Sequence, residues 1–289
     1  MGRRLCVGDI HGSYDRLQQA LEHCKFSDSD TLYSVGDFTD RGNQNVKVLD
    51  FLMSLNNFKP VCGNHDLWNY EYLHPQIPYK HTTWEGKVRE GFRPYMSRDA
   101  EDCWYGWNGG RKTLEEEAKQ SEDWRNKVYN FLKNIPYRIN LGDKIIIHSA
   151  CPSTIYKWVD TPLDEIMMET LKSSGLIRDD VYDQGVWNRE IIRGCKDYVQ
   201  IGNKYSSFDP WYKDLALKEY DGRLTYIIGH TPLDHPFYDK DLGIIGIDTC
   251  AFADKRAGWD IEGYLTILNI DTLDYWTSEK DEKKHLEAT

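Results

Sequence analysis

The segments GDIHG (residues 8–12), GDFTDRG (residues 36–42) and GNHD (residues 63–66) follow one another near the beginning of this 289-residue chain. Each comes directly after a short apolar run, which predicts that each lies at the end of a β-strand. Between the first two runs, apolar residues from Leu17 to Cys24 recur at helical spacing. Alternating strands and helices predict an α/β fold with parallel strands. The three segments should converge on one point, because open α/β sheets bind ligands at the carboxyl ends of their strands.

The second half of the chain also contains apolar runs that end on polar residues. A predicted hairpin with its turn at Gly142 leads to His148, residues 224–228 lead to His230, and residues 244–247 lead to Asp248. We therefore expect both halves of the chain to contribute side chains to one site.

The stretch of residues 68–124 lacks this regularity and contains five of the ten tryptophans. We interpret it as an insert of loops and helices that folds over the site. The alternative is a structural excursion whose aromatic side chains form a small core of their own. Residues 1–278 are predicted to form a single domain, since no linker or repeat divides them. The charged tail, residues 279–289, is predicted to be disordered.

Composition narrows the possible partners and the compartment. The net charge of -11 disfavours binding of long nucleic acids, although small phosphorylated substrates remain possible. The seven cysteines are scattered and form no C-x-x-C pair, a pattern typical of reduced thiols. The sequence begins without the apolar stretch of a signal peptide, and no segment approaches the length of a membrane span. We therefore expect a cytoplasmic protein with no membrane partner.

The polar residues at the predicted strand ends are of the types that bind transition metals. Asp9 and His11 can offer an oxygen and a nitrogen to one ion, and the carboxylate of Asp37 can bridge two ions. Asn64 adds an amide oxygen, and His148 and His230, from the other half of the chain, complete the ligands of a second ion. This mixture favours Mn, Fe, Zn or Ni over Ca. Two such ions, about 4 Å apart, would share a deprotonated water and hold a phosphate for in-line attack.

The chain resembles the phosphoprotein phosphatase branch of the calcineurin-like metallophosphoesterases, whose pattern is GD-x-HG, GD-x-x-DRG, GNH-[DE] and two later histidines. Within this branch it is most similar to the bacteriophage lambda type of protein phosphatase and the related symmetrical diadenosine tetraphosphatases. The likeness to the lambda type lies in VWNRE (residues 186–190), GHTP (residues 229–232) and IDT (residues 247–249). It implies a four-layer sandwich of two mixed β-sheets flanked by helices. By the same likeness, the two ions are manganese or a similar metal. The ligands of the first ion would be Asp9, His11 and Asp37. The ligands of the second ion would be Asp37, Asn64, His148 and His230.

The resemblance also implies catalytic roles for four other residues. Arg41 and Arg189 would bind the phosphate oxygens with their planar guanidinium groups. Arg193, four residues after Arg189, is the alternative for the second role. His65 would be the general acid that protonates the leaving oxygen, with Asp40 orienting its imidazole.

These residues predict a phosphoesterase that hydrolyses phosphomonoesters, such as phosphoserine or phosphothreonine in proteins, by in-line attack of a metal-bridging hydroxide. Hydrolysis of a dinucleoside polyphosphate or another nucleotide is the alternative, and an inactive phosphate-binding module is a third reading of the same fold. The sequence departs from the family pattern at Asp66, where many protein phosphatases have Glu, at Ser149-Ala150, and at Cys250, where Gly usually follows IDT. None of these departures removes a predicted ligand, but they leave the substrate open.

Overall fold

The computed structural model describes residues 2–82, 86–150, 187–189, 191–195, 210–220, 222–255 and 261–289. Residues 83–85 of the predicted insert lie outside the described residues, as do Val186 and Glu190 of the lambda-type motif.

The helices and strands alternate in the first third of the chain, as the sequence predicts. The strands are β1 (Arg4–Val7), β2 (Thr31–Ser34), β3 (Phe58–Pro60), β4 (Ile77–Thr82), β5 (Val88–Arg93), β6 (Arg138–Asn140), β7 (Lys144–Ile147), β8 (Thr225–Ile228), β9 (Phe237–Asp239), β10 (Ile244–Gly246), β11 (Thr266–Asn269), β12 (Asp274–Thr277) and β13 (Lys284–His285). The α-helices are α1 (Tyr14–His23), α2 (Asn45–Ser54), α3 (Asn64–Leu73), α4 (Arg98–Trp107), α5 (Gly110–Glu117), α6 (Glu122–Leu132) and α7 (Pro210–Glu219), and a 3-10 helix covers Ile191–Gly194.

The strands form two mixed sheets and a separate hairpin. The first sheet has the order β13-β12-β11-β1-β2-β3, and the second has the order β6-β7-β8-β10-β9. In the first sheet β1, β2 and β3 run parallel, and in the second β7, β8 and β10 run parallel. Val7 pairs with Ser34, and Ser34 pairs with Pro60, so the three N-terminal strands end at the same level.

Alternation along the strands divides the core between the two faces of each sheet. Cys6 of β1 and Ile146 of β7 belong to one buried cluster, in which side chains of both sheets meet. Their neighbours Leu5 and Ile145 belong to the larger cluster, which includes side chains of the helices such as Leu17. Because successive strand residues point to opposite faces, the sheets pack against each other with helices outside. The predicted architecture of mixed sheets flanked by helices is confirmed.

The stretch predicted as an insert contains more regular structure than expected. It includes the hairpin of β4 and β5, which was not predicted, followed by α4 and α5. Trp68, Met96 and Trp104 form a small buried cluster, as the alternative interpretation expected. Helices α4 and α5 also contact Asp40, which follows β2.

The prediction of a disordered tail is wrong for its last residues. Strand β13 pairs with β12, and Ala288 forms a bridge with Tyr238. Leu286 is buried in the second cluster. The charged composition gave no sign of this strand, because it is held by backbone pairing to an edge strand and by one apolar side chain.

Candidate metal centre

The six predicted metal ligands all lie at the ends of strands and are all buried. Asp9 and His11 follow β1, Asp37 follows β2, Asn64 begins α3 after β3, His148 follows β7, and His230 follows β8. The carboxyl ends of strands from both sheets therefore meet at one point, as expected from the sequence.

Asp37 lies at the middle of this group. Its Oδ2 atom is 3.4 Å from Nε2 of His148, 3.6 Å from Nε2 of His11 and 3.9 Å from Nε2 of His65. Two sets of three side chains bring their ligand atoms within 4.8 Å of one another: His11, Asp37 and His65, and Asp37, His148 and His230. Asp37 belongs to both sets, and these groups could bind metal ions.

The rings of His11 and His148 are oriented by backbone carbonyl groups. Nδ1 of His11 donates to the carbonyl oxygen of Thr39 at 2.9 Å, and Nδ1 of His148 donates to that of Val35 at 2.6 Å. A carbonyl oxygen can only accept, so Nδ1 of each ring carries a proton, and in the neutral ring the lone pair is then on Nε2. Nδ1 of each ring is thus held by the backbone while Nε2 lies near Asp37, which is the arrangement that metal-binding histidines use.

Asn64 connects the two histidines of the second half. Its Oδ1 atom lies 3.0 Å from Nε2 of His148 and 2.9 Å from Nδ1 of His230. An oxygen and two ring nitrogens therefore converge beside Asp37, and the Nδ2 atom of Asn64 has no hydrogen-bond partner among the described residues.

Asp9 lies beside the two sets but belongs to neither of them. Its Oδ2 atom accepts from the backbone N–H of His230 at 3.0 Å, while its buried Oδ1 atom has no hydrogen-bond partner among the described residues. Burial, together with the charges of Asp248 and Asp37, holds the pKa of Asp9 well above its usual range. A Cβ at Gly229 would lie 2.0 Å from Oδ1 of Asp9, so only glycine allows this approach.

Asp248 is a third carboxyl group in this region; the sequence placed it after an apolar run but did not include it among the predicted ligands or catalytic residues. It is buried, and its Oδ2 atom has no hydrogen-bond partner in the described part of the chain. Burial raises the pKa of Asp248 to about 6. The signal was its position after an apolar strand, the same signal that identified the other carboxylates.

The backbone is strained at several of these residues. His11, Asp37, Asp40, Arg41 and His230 all have φ between 46° and 76°, in the left-handed region. Such conformations cost on the order of 1 kcal/mol or more for residues other than glycine, and they persist where the surrounding structure determines them. Strain of this kind is typical of functional sites.

Asp66 fixes the strained backbone around Asp37. Its carboxylate accepts from the backbone N–H groups of Asp37 at 2.7 Å, Phe38 at 3.0 Å and Gly63 at 2.9 Å. Burial and the charge of Asp37 raise the pKa of Asp66 to about 8. The sequence identified this residue only as a departure from a motif and gave it no role.

The predicted arginines differ in their relation to the centre. Nη1 of Arg41 donates to Nε2 of His11 at 2.9 Å, and Nη2 donates to Nε2 of His65 at 3.1 Å. Nε of Arg189 donates to Nε2 of His230 at 3.1 Å. Arg193 stacks on the ring of Tyr212 at 5.6 Å.

His65 and Asp40 form a buried pair, as expected from the sequence. Nδ1 of His65 lies 2.5 Å from Oδ2 of Asp40. The same carboxylate accepts from Trp104 and Thr113, two residues of the insert that the sequence did not identify as site residues.

A family model described as calcineurin-like phosphoesterase matches residues 2–246. The chain belongs to this family. The resemblance expected from the sequence is therefore confirmed, and the centre described above lies in a phosphoesterase fold.

Curated relatives of this phosphoesterase match only part of the chain. A protein of Pasteurella multocida named symmetrical bis(5'-nucleosyl)-tetraphosphatase is 49% identical over 63 residues, which cover 21% of this chain and 23% of the relative. A protein of Coxiella burnetii with the same name is 43% identical over 81 residues, covering 26% of this chain and 28% of the relative. The match thus spans about a quarter of the length of these relatives.

Solved structures resemble the phosphoesterase over nearly its whole length. A cold-active protein-tyrosine phosphatase of a psychrophilic Shewanella species has a TM-score of 0.58 at 15% identity, covering 99% of this chain and 81% of that one. A putative diadenosine tetraphosphatase has a TM-score of 0.52 at 17% identity, covering 96% and 92%. At these identities the likeness establishes the fold.

Among the described residues, no helix has the length and apolarity needed to cross a membrane.

Proposed function

We propose that this chain hydrolyses phosphoesters with two divalent transition metal ions that share Asp37. The observation that supports this best is the position of Asp37 Oδ2, with imidazole nitrogens of His11 and His148 at 3.6 and 3.4 Å. The proposed ligands of the first ion are Asp9, His11 and Asp37, and those of the second are Asp37, Asn64, His148 and His230.

The donor set fits such ions. Nδ1 of His11 and Nδ1 of His148 donate to backbone carbonyls, which leaves Nε2 of each ring near Asp37 for a metal ion. Oδ1 of Asp9 is a buried oxygen without a hydrogen-bond partner among the described residues. Asp9, Asp37 and Asp248 bring three carboxyl groups into a buried region, where cations would offset their mutual repulsion. Oxygen and imidazole ligands without cysteine suit Mn, Fe, Zn or Ni, and we favour manganese.

When bound, the two ions would supply Lewis acidity toward the phosphate and a nucleophile derived from water. Arg41 and Arg189 would donate to phosphate oxygens whose charge grows in the transition state. His65 would hold a proton on Nε2 for the leaving oxygen, while its Nδ1–H group remains bonded to Asp40.

We propose phosphomonoesters, including phosphoserine and phosphothreonine in proteins, as the leading substrate class. Dinucleoside tetraphosphates are the second candidate, because the curated relatives that share 43–49% identity with segments of this chain carry that name. The pair Asp66-Leu67, which follows the third motif, also resembles those hydrolases.

A substrate panel tests the proposal and separates the two classes. Protein reconstituted with Mn²⁺ is assayed on a phosphoserine peptide, on p-nitrophenyl phosphate and on diadenosine tetraphosphate, with bound metal measured by elemental analysis. We expect two ions per chain and hydrolysis that Asp37→Asn abolishes. Asp143→Asn, which changes an exposed carboxylate, should leave activity unchanged. Absence of bound metal, or activity that survives Asp37→Asn, would refute the proposal.

A further inference from the structure

The carboxylate of Asp40 is held from both sides by the insert as well as by His65. Nε1 of Trp104 donates to Oδ2 at 2.5 Å, and Oγ1 of Thr113 donates to Oδ1 at 2.5 Å. Nδ1 of His65 shares Oδ2 with Trp104, also at 2.5 Å. Asp40, His65, Trp104 and Thr113 are all fully buried, so no water competes for these contacts.

The direction of each hydrogen bond follows from the chemistry of the donors. An indole nitrogen can only donate, so Oδ2 of Asp40 must accept from Trp104. Oγ1 of Thr113 accepts from the backbone N–H of Asp40 at 3.0 Å, which leaves its own proton for Oδ1. Asp40 is therefore an acceptor at both oxygens, and its carboxylate plane is fixed by donors from two helices, α4 and α5.

The beginning of α5 also fixes the backbone next to Asp40. The N–H group of Arg41 donates to the carbonyl of Gly109, and Nζ of Lys112 donates to the carbonyl of Arg41 at 2.8 Å. A Cβ at Gly110 would lie 2.4 Å from Nε1 of Trp104, so the indole is packed against the glycine at the first position of α5. The insert thus holds the side chain of Asp40 and the main chain of Arg41 together.

We propose that Trp104 and Thr113 are positioning residues for acid catalysis: by fixing Asp40, they direct Nε2 of His65 toward the leaving oxygen. This inference rests on the proposed phosphoesterase function. Both side chains are fully buried and contact Asp40, so their proposed role is exerted through Asp40 and not on the substrate directly. The insert then contributes to the chemical step itself and is more than a cover over the site.

Variants at the two donors test the inference. Thr113→Val keeps the shape of the side chain but removes the hydroxyl group, whereas Thr113→Ser keeps the hydroxyl group. Trp104→Phe removes the indole donor. Trp124→Phe is the matched control, because its Nε1 atom donates to Asp50 at 2.7 Å on the surface, away from the centre.

Each variant is assayed on an alkyl phosphate, whose leaving group needs a proton, and on an aryl phosphate, whose leaving group does not. Thr113→Val and Trp104→Phe should lower kcat for the alkyl substrate about tenfold more than for the aryl substrate, a fraction of what a general acid contributes. KM should change little. Thr113→Ser and Trp124→Phe should keep the wild-type ratio of the two kcat values. Equal losses on both substrates, or no loss, would refute the inference.

A second measurement keeps the inference distinct from the function on which it rests. The Nδ1–H proton of His65, assigned in the NMR spectrum by its loss in His65→Asn, should shift in Thr113→Val and Trp104→Phe but not in Trp124→Phe. An unchanged signal in both donor variants overturns the inference. If the wild-type protein hydrolyses neither ester, the proposed phosphomonoesterase activity fails, and the NMR result still tests the positioning of His65.

Discussion

His65 and Asp40 form a pair in which Nδ1 of the ring lies 2.5 Å from Oδ2 of the carboxylate, with both side chains fully buried. The opposite nitrogen, Nε2, lies 3.9 Å from Asp37 and accepts from Arg41. The ring thus has one nitrogen held by a carboxylate and the other directed at the centre. To act as a general acid, the ring needs a proton on Nε2, and the contact of that nitrogen with Arg41 must then give way to one with the leaving oxygen.

Replacing His65 with Asn should therefore affect substrates according to their leaving groups. We expect kcat for an alkyl phosphate to fall on the order of 100-fold or more, and kcat for an aryl phosphate to fall far less. Steady-state kinetics on the two esters measure the difference. The loss in Trp104→Phe or Thr113→Val should not exceed that in His65→Asn, since those residues act through this ring. Equal losses on both esters would exclude His65 as the acid.

Substitution of Arg189 and substitution of Arg193 should have clearly different effects on kcat/KM. Arg189 contacts His230 of the proposed second ion, whereas Arg193 stacks on Tyr212. We expect Arg189→Ala to lower kcat/KM on the order of 100-fold, because a donor to the transition-state phosphate is lost. Arg193→Ala should change kcat/KM by less than about threefold, a difference of well under 1 kcal/mol. The reverse order would transfer the phosphate-binding role to Arg193.

Asp66 should contribute more to stability than any single surface charge. Asp66→Ala would leave three buried N–H groups, those of Asp37, Phe38 and Gly63, without their acceptor. We expect a loss of about 3 kcal/mol or more in the free energy of unfolding, since each unsatisfied group costs about 1–3 kcal/mol. Urea denaturation measures this loss, and Asp143→Ala provides a matched change at an exposed carboxylate. A loss below about 1 kcal/mol would show that Asp66 does not hold the Asp37 loop.

The residues at strand ends were predictable because two simple rules place them. Apolar runs predict strands, and parallel strands that end at one level bring the following residues together, which is how Asp9, Asp37 and His148 meet. The same rules applied to Asp248, but it lay outside the ligand set that the family pattern implied.

Contacts between distant segments were not predictable in this way. Trp104 and Thr113 lie 64 and 73 residues after Asp40, on helices whose packing no local pattern specifies. An indole or a hydroxyl group in the sequence gives no indication of which carboxylate it will meet. The strand at Lys284–His285 was missed for a related reason, since its partner is an edge strand and its composition is that of a solvated tail.

Glu117 is not one of the proposed metal ligands, and its buried side chain makes the stability of the protein depend on pH. The side chain is buried, Nδ2 of Asn69 donates to its Oε1 atom at 2.9 Å, and its Oε2 atom has no hydrogen-bond partner among the described residues. Burial, which outweighs this hydrogen bond, raises the pKa of Glu117 to about 8. The folded protein thus binds a proton here that the unfolded chain releases near the ordinary pKa of 4.5.

Because the folded-state pKa is raised, the stabilising contribution of the protonated form is complete below about pH 4.5 and is lost as pH rises through about 8. Glu117→Gln removes this titration while keeping an acceptor for Asn69. We expect the variant to gain stability relative to the wild type between pH 5 and pH 9, by several kcal/mol at the upper end. Urea midpoints across this range measure the gain. Glu115→Gln, at an exposed residue paired with Arg111, should show no such trend. A difference between Glu117→Gln and the wild type that stays constant with pH would contradict the prediction.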